Sequence, residues 1–264
     1  MIPSTFLYLA VAALLPLTCR AEGSAGTGPL DQSFFTDYTH RIATISTDPE
    51  TVRIGYVDAA PASNGTSRGT ILIIHGWPSS SYGFHKVIPL FMQAGYRVIA
   101  PDYRGAGNSN RPLSLDGYRK SVMAADLHTL VQNHLNISEP INVVGHDIGA
   151  MVSVAYAGNF PTDTASLVWS ESEVSVPGSA WYEQTKNSPT LWHFNFHRVP
   201  DLVETLTKGR VREYIKIFYD SFLVNPAGIN PAERDYIASQ YEEPGGMRAA
   251  AHLYRTFDDD AREN

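Results

Sequence analysis

Ile141-Asn142-Val143-Val144-Gly145-His146-Asp147-Ile148-Gly149-Ala150 is the stretch on which the reading of this chain turns. Its first four residues form a short apolar run ending in two valines. From Ile148 to Asn159 the spacing predicts a helix, stopped by Pro161. Between strand and helix stand Gly145 and Gly149, flanking His146-Asp147-Ile148. A strand that passes straight into a helix needs a sharp, strained turn. Glycines permit that turn, and the residue at its apex is lifted above the sheet. The apex residue here is Asp147.

Outward from this elbow the pattern repeats. Thr70–Ile74 and Arg97–Ala100 are short apolar runs separated by a helical stretch ending at Gly95, and Ile141–Val144 follows the amphipathic Val122–Leu135. Strands alternating with helices imply a parallel sheet. Two earlier strands are expected at Arg41–Thr47 and Val52–Asp58, with a turn at Asp48-Pro49, and a sixth at Ser166–Ser170. Beyond it the rhythm breaks. From Pro177 to Asp260 the chain is rich in Trp, Tyr, Phe and His at helical spacing, as in Asp201–Leu206 and Arg210–Phe222, which predicts a helical cap inserted after strand six.

Composition limits the partners. The 264 residues are 43% hydrophobic and 18% charged, enough for a large core. A net charge of −7 without a Lys/Arg block leaves no electrostatic footprint for nucleic acid or an acidic membrane surface. A small hydrophobic molecule is the expected partner. Phe6–Leu17 is an apolar run followed by Cys19-Arg20-Ala21, which reads as a signal peptide over 1–21 with cleavage after Ala21 and hence a secreted protein, with no membrane contact after cleavage. The only cysteine, Cys19, lies in this leader, so the mature protein is expected to have no thiol, disulfide or cysteine metal site. Asn64-Gly65-Thr66 and Asn136-Ile137-Ser138 are glycosylation sequons that export would make usable. Residues 22–33 read as a linker, 34–176 as the core and 177–264 as the cap.

Two further motifs fall in order around the elbow. His75-Gly76-Trp77-Pro78 follows the strand at Ile71–Ile74, where a loop can offer a backbone N–H to a developing oxyanion. Pro101-Asp102-Tyr103-Arg104-Gly105-Ala106-Gly107-Asn108-Ser109 follows the next strand. With these landmarks the chain resembles the aspartate-nucleophile α/β-hydrolases, the epoxide hydrolases and dehalogenases, from about residue 34 onward. It looks most like epoxide-hydrolase-type proteins of fungi and bacteria, some of which would serve secondary metabolism. The resemblance implies an α/β-hydrolase fold with a mostly parallel sheet and a helical cap, and a reaction in two steps. Asp147 attacks an sp³ carbon to form an alkyl-enzyme ester, which an activated water then hydrolyses. His75, Gly76, Trp77 and Pro78 would form the oxyanion loop, with the N–H groups of Trp77 and Ile148 as donors. Asp102 and Arg104 would be structural. Glu171, at the end of strand six, matches the acid that orients the water-activating histidine, although Glu171 and Glu173 also read as exposed loop charges. His193 and Tyr254 match the two leaving-group donors of the cap, with Tyr219 in reserve, and each also reads as a packing aromatic.

Substrate class follows from the neighbours of the nucleophile. Haloacid-cleaving relatives carry arginines where this chain has Ile148 and Met151, and haloalkane-cleaving ones a tryptophan at Ile148. An epoxide loses least from these changes. The resemblance implies no cofactor and no metal, and it also implies a water-activating histidine in a loop after the last strand. The sequence reaches Asn264 without strands seven and eight or a Gly-His loop, and its nine histidines fall elsewhere. A catalytic triad incomplete in this way predicts a persistent ester on Asp147, and a fold lacking its last two strands predicts an exposed edge at strand six open to self-association. A ligand-binding protein without turnover and a haloalkane-type dehalogenase stand as alternatives.

Overall fold

The computed structural model describes residues 29–47, 50–62, 67–170, 188–225 and 228–263, with Ser179, Ala180 and Glu183 besides. The leader with Cys19, most of the 22–33 linker, Asp48-Pro49, the Asn64 sequon, Glu171 and Glu173 lie outside the described residues.

The strands are β1 (Thr39–Thr47), β2 (Glu50–Ala59), β3 (Thr70–Ile74), β4 (Arg97–Pro101), β5 (Ile141–His146) and β6 (Thr164–Ser170). Among the described residues they form one sheet of six in the order β1-β2-β4-β3-β5-β6. β1 pairs antiparallel with β2, and β2 with β4; the β4-β3-β5-β6 part is parallel. β3 is buried at all five positions, as expected of a continuous apolar run covered by helices on both faces. β1 starts two residues before the expected Arg41, because Thr39 and His40 pair with Asp58 and Val57 despite their polarity.

Three helices flank the sheet: α1 (Ile88–Gln93), α2 (Lys120–Thr129) and α3 (Ile148–Asn159). α2 continues into a π-type turn, Leu130–His134, after which Asn136 stands exposed at φ 53°. α3 packs on β5, β6 and α2, and α2 on β1. β4 lies on one side of β3 and β5 on the other, so the strand order reverses at β3. In open α/β sheets the crevice outside the carboxyl ends of the strands at such a reversal is where ligands bind. The ends of β3 and β5 are His75-Gly76-Trp77 and Asp147.

The helical region contains α4 (Trp192–Arg198), α5 (Leu202–Thr207), α6 (Val211–Phe222), α7 (Pro231–Glu242) and α8 (Gly246–Arg255). α6 buries Tyr214, Ile215, Phe218 and Tyr219, the positions its helical period brings to one face. Burial of Ile215 and of Phe218 contributes about 1.5–3 kcal/mol each. α7 opens with Asn230, whose side chain accepts from Glu233 N while Glu233 accepts from Asn230 N, and with Pro231 at the first helical position. Glu233 also accepts from the His85 ring at 2.9 Å, tying α7 to the core.

The sequence reading places all of 177–264 in the cap. In the structure the last helix, α9 (Phe257–Glu263), packs against α2 of the core. Lys120 Nζ donates to Asp260 at 2.8 Å, Leu253 O at 2.7 Å and Thr256 at 3.0 Å, and lies 5.0 Å from the Phe257 ring centre. β6 is the edge of the described sheet, with Val168 57% exposed. Among the described residues no helix is long and apolar enough to cross a membrane.

Candidate active site

Asp147 joins β5 to α3 at φ 54° and ψ −122°, a left-handed conformation that costs a non-glycine residue on the order of 1–3 kcal/mol. Its neighbours hold it there. A Cβ on Gly145 would lie 2.3 Å from Gly149 O, and one on Gly149 would lie 2.1 Å from Ile74 O. Only glycines let the start of α3 lie directly on the ends of β5 and β3.

The loop after β3 closes on this residue. A Cβ on Gly76 would lie 2.4 Å from Asp147 Cβ, so the carboxylate rests against the backbone of the loop. Trp77 N–H donates to Asp147 Oδ1 at 2.6 Å, a charge-assisted bond from the amide expected to serve the oxyanion. The Trp77–Pro78 peptide is cis. His75 is buried and stacks on Tyr103 with ring centres 4.1 Å apart. Its Nδ1 donates to Gly76 O at 2.8 Å, and burial pushes its pKa below the usual range, so it is a neutral structural group. Ile148 is 1% exposed at the first position of α3.

Over the elbow lies a cavity of about 580 Å³. Its floor contains His75, Trp77 and Asp147; its roof contains His193, Phe218, Phe222 and Leu223 from the helical region. His193, on α4, lines the same cavity as Asp147. Burial pushes its imidazole down to about 4, which leaves it neutral at pH 7, and its Nδ1 has no hydrogen-bond partner. Tyr254, on α8, is fully buried beside it, with ring centres 5.7 Å apart. Burial, with the Asp147 charge second, holds the Tyr254 phenol well above its usual range, and its hydroxyl also lacks a partner. Tyr219, the reserve donor, lines the cavity, but its hydroxyl is engaged by Pro78 O at 2.7 Å. Glu171 cannot be placed, since it lies outside the described residues.

Asp102 and Arg104 have structural partners. Asp102 accepts from Ser81 N at 2.7 Å and Asn108 N at 2.9 Å. Arg104, wholly buried, forks onto Asp126 at 2.7 and 2.9 Å and reaches Glu50 at 2.9 Å. Sequence reasoning missed Tyr241, whose hydroxyl meets Ser79, and His197, whose ring lies edge-on to Trp77 with centres 4.6 Å apart. The helical phase of Tyr241 with Ile237 and Ala238 marks it as buried but gives no sign of its partner.

An open sheet with a strained acidic elbow at its switch point defines a hydrolase-type scaffold. The chain belongs to the α/β-hydrolase fold family, whose model matches residues 69–203, just over half of its length. It is epoxide-hydrolase-like: it is 37% identical over 230 residues to the soluble epoxide hydrolase of Corynebacterium sp. (strain C12), a match covering 84% of this chain and 73% of that one. Lipase 1 of Psychrobacter immobilis is 33% identical over 149 residues, covering 54% of this chain and about half (46%) of the lipase. Among solved structures, Cfl2 of Burkholderia cenocepacia superposes with a TM-score of 0.73 at 33% identity, covering 86% of this chain and 74% of Cfl2.

Proposed function

We propose that the chain is a hydrolase that opens an epoxide, with Asp147 as the nucleophile. The pose of that carboxylate carries the reading: Oδ1 is held by Trp77 N–H at 2.6 Å on the floor of a largely apolar cavity. In the first step a carboxylate oxygen bonds to an epoxide carbon, the C–O bond breaks, and the electron pair passes to the ring oxygen, which must take a proton. His193, which lines the cavity, is the donor for that oxygen, and Tyr254, which packs against the His193 ring without lining the cavity, stands behind it as the second. Both are buried; at pH 7 the neutral imidazole carries one N–H and the phenol keeps its proton, and neither His193 Nδ1 nor the Tyr254 hydroxyl has a hydrogen-bond partner. An aspartate attacking an acyl carbon would give a reactive anhydride, which argues against ester cleavage despite the lipase relative.

Phe84, Phe218, Phe222, Leu223 and Ile229 line the cavity, and no lysine or arginine does among the described residues, so the substrate is apolar and uncharged. Ile148 offers no side-chain donor for a halide, which disfavours haloalkane cleavage. In the second step water attacks the ester carbonyl and Trp77 N–H supports the oxyanion. That water needs a general base, a contribution of about 10²–10⁴-fold. His85–Glu233 and His128–Asp163, two histidine–carboxylate pairs among the described residues, lie away from the cavity, whereas His146, next to Asp147, lines it.

Incubation with styrene oxide tests this reading. Intact-mass and peptide mass spectrometry of rapidly acid-quenched samples should find a one-to-one adduct on Asp147 in the wild type that is absent from Asp147→Asn. Absence of both adduct and diol product across a panel of aryl and alkyl epoxides would refute it.

A further inference from the structure

We propose that Tyr219 and Tyr241 are positioning residues for the oxyanion-hole loop, so that Trp77 N–H meets Asp147 only while α6 and α7 are seated on the core. The inference deepens, and rests on, the reading of Asp147 as nucleophile. Pro78 lacks an N–H, so the Pro78-Ser79 pair has only Pro78 O, Ser79 N–H and Ser79 O to satisfy. A tyrosine of the helical region answers each of them. Tyr219 OH donates to Pro78 O at 2.7 Å, while Tyr241 OH accepts from Ser79 N at 3.2 Å and donates to Ser79 O at 2.8 Å. The donor amide of Trp77 lies immediately before this clamped pair.

The Trp77 side chain is gripped from the same direction, with Phe218 of α6 and Tyr241 of α7 packed edge-on at 4.6 and 6.2 Å between ring centres. The two tyrosines stand on neighbouring helices that pack on one another, and the start of α7 is tied down by Glu233 to His85. Core contacts hold the loop farther on, where Ser81 N meets Asp102. Burial raises the pKa of both phenols, so each keeps the proton it donates. A displacement of about 1 Å in a catalytic group costs on the order of 10²-fold in rate, which makes such a clamp consequential.

The test compares the wild type, Tyr241→Phe, Tyr219→Phe and the control Tyr236→Phe, which sits on α7 but packs against Tyr82. Three quantities are read: hydrogen–deuterium exchange of the peptide spanning residues 76–80, the single-turnover rate of Asp147 alkylation by styrene oxide, and the Kd of phenylcyclopropane, an unreactive analogue. The proposal expects exchange at the loop to quicken about tenfold or more in Tyr241→Phe and Tyr219→Phe. Alkylation should slow by about 10–100-fold at an unchanged Kd, and exchange in β3 to β5 and all readings of Tyr236→Phe should match the wild type. Unchanged loop exchange in both variants overturns it, as does faster exchange with alkylation unaffected. If the wild type is not alkylated, the reading of Asp147 fails, while the exchange arm still decides whether the tyrosines hold the loop. Should Tyr241→Phe not fold, Tyr219→Phe carries the same comparison.

Discussion

His193 is an imidazole that folding keeps neutral, and this gives the protein a particular sensitivity to acid. Burial moves its pKa from 6.5 to about 4, equivalent to ~3 kcal/mol. The unfolded chain takes up the proton from about pH 6.5 downward, whereas the folded protein resists it until about 4. Between these values the unfolded state holds more protons, so stability falls as pH falls. His252, pushed to about 4, and His197, pushed well below its usual range, add in the same direction. Urea denaturation at steps from pH 7 to 4 should show this loss, and His193→Gln should make the dependence shallower; an unchanged slope would contradict the burial. At this scale the sequence was informative wherever a residue's role follows from its immediate neighbours. Asp147 between Gly145 and Gly149 is such a case. It was uninformative where a role depends on a distant partner: nothing local to Tyr241 points to Ser79, 162 positions away.

At the scale of elements, α9 is joined to α2 by a buried ion pair. Lys120 and Asp260 are 3% and 2% exposed, and burial pulls the lysine pKa down against the pull of Asp260. Breaking such a pair from one side leaves an uncompensated charge and costs about 3–5 kcal/mol, while replacing both partners by apolar residues is often near neutral. Lys120→Met should therefore lower the free energy of unfolding by about that amount, and Lys120→Met with Asp260→Leu should recover much of it, as measured by chemical denaturation. The limits of α3 could be read from the sequence to the residue, because its glycines, apolar spacing and Pro161 all agree. The attachment of α9 could not, because Lys120 is an ordinary polar residue at a helix start and its partner lies 140 positions later.

For the whole molecule, the sheet ends among the described residues at β6, whose Val168 is 57% exposed. A strand edge presents unpaired backbone groups that invite another strand, and a lysine on such an edge discourages pairing. We propose this edge as a contact wherever β6 closes the sheet: sedimentation velocity of the 264-residue chain should then show concentration-dependent self-association that Val168→Lys diminishes, and a wild type that stays monomeric at high concentration would count against it. The architecture was legible because each parallel strand is a short apolar run set off by glycine or proline, and because strand and helix alternate as far as β6. How the later helices sit on the sheet was not legible, since helical spacing shows which face is buried but not what buries it.

Trp77 turns this arrangement into an optical gauge. Its amide holds the Asp147 carboxylate, and its indole, 6% exposed, lies edge-on to His197 and Phe218. Conversion of the carboxylate to an ester removes a negative charge beside that chromophore, and the emission of Trp77 should change as the bond forms. In a Trp192→Phe background, which removes the half-exposed indole of α4, stopped-flow fluorescence should follow the adduct in real time, with no signal when Asp147 is replaced by Asn.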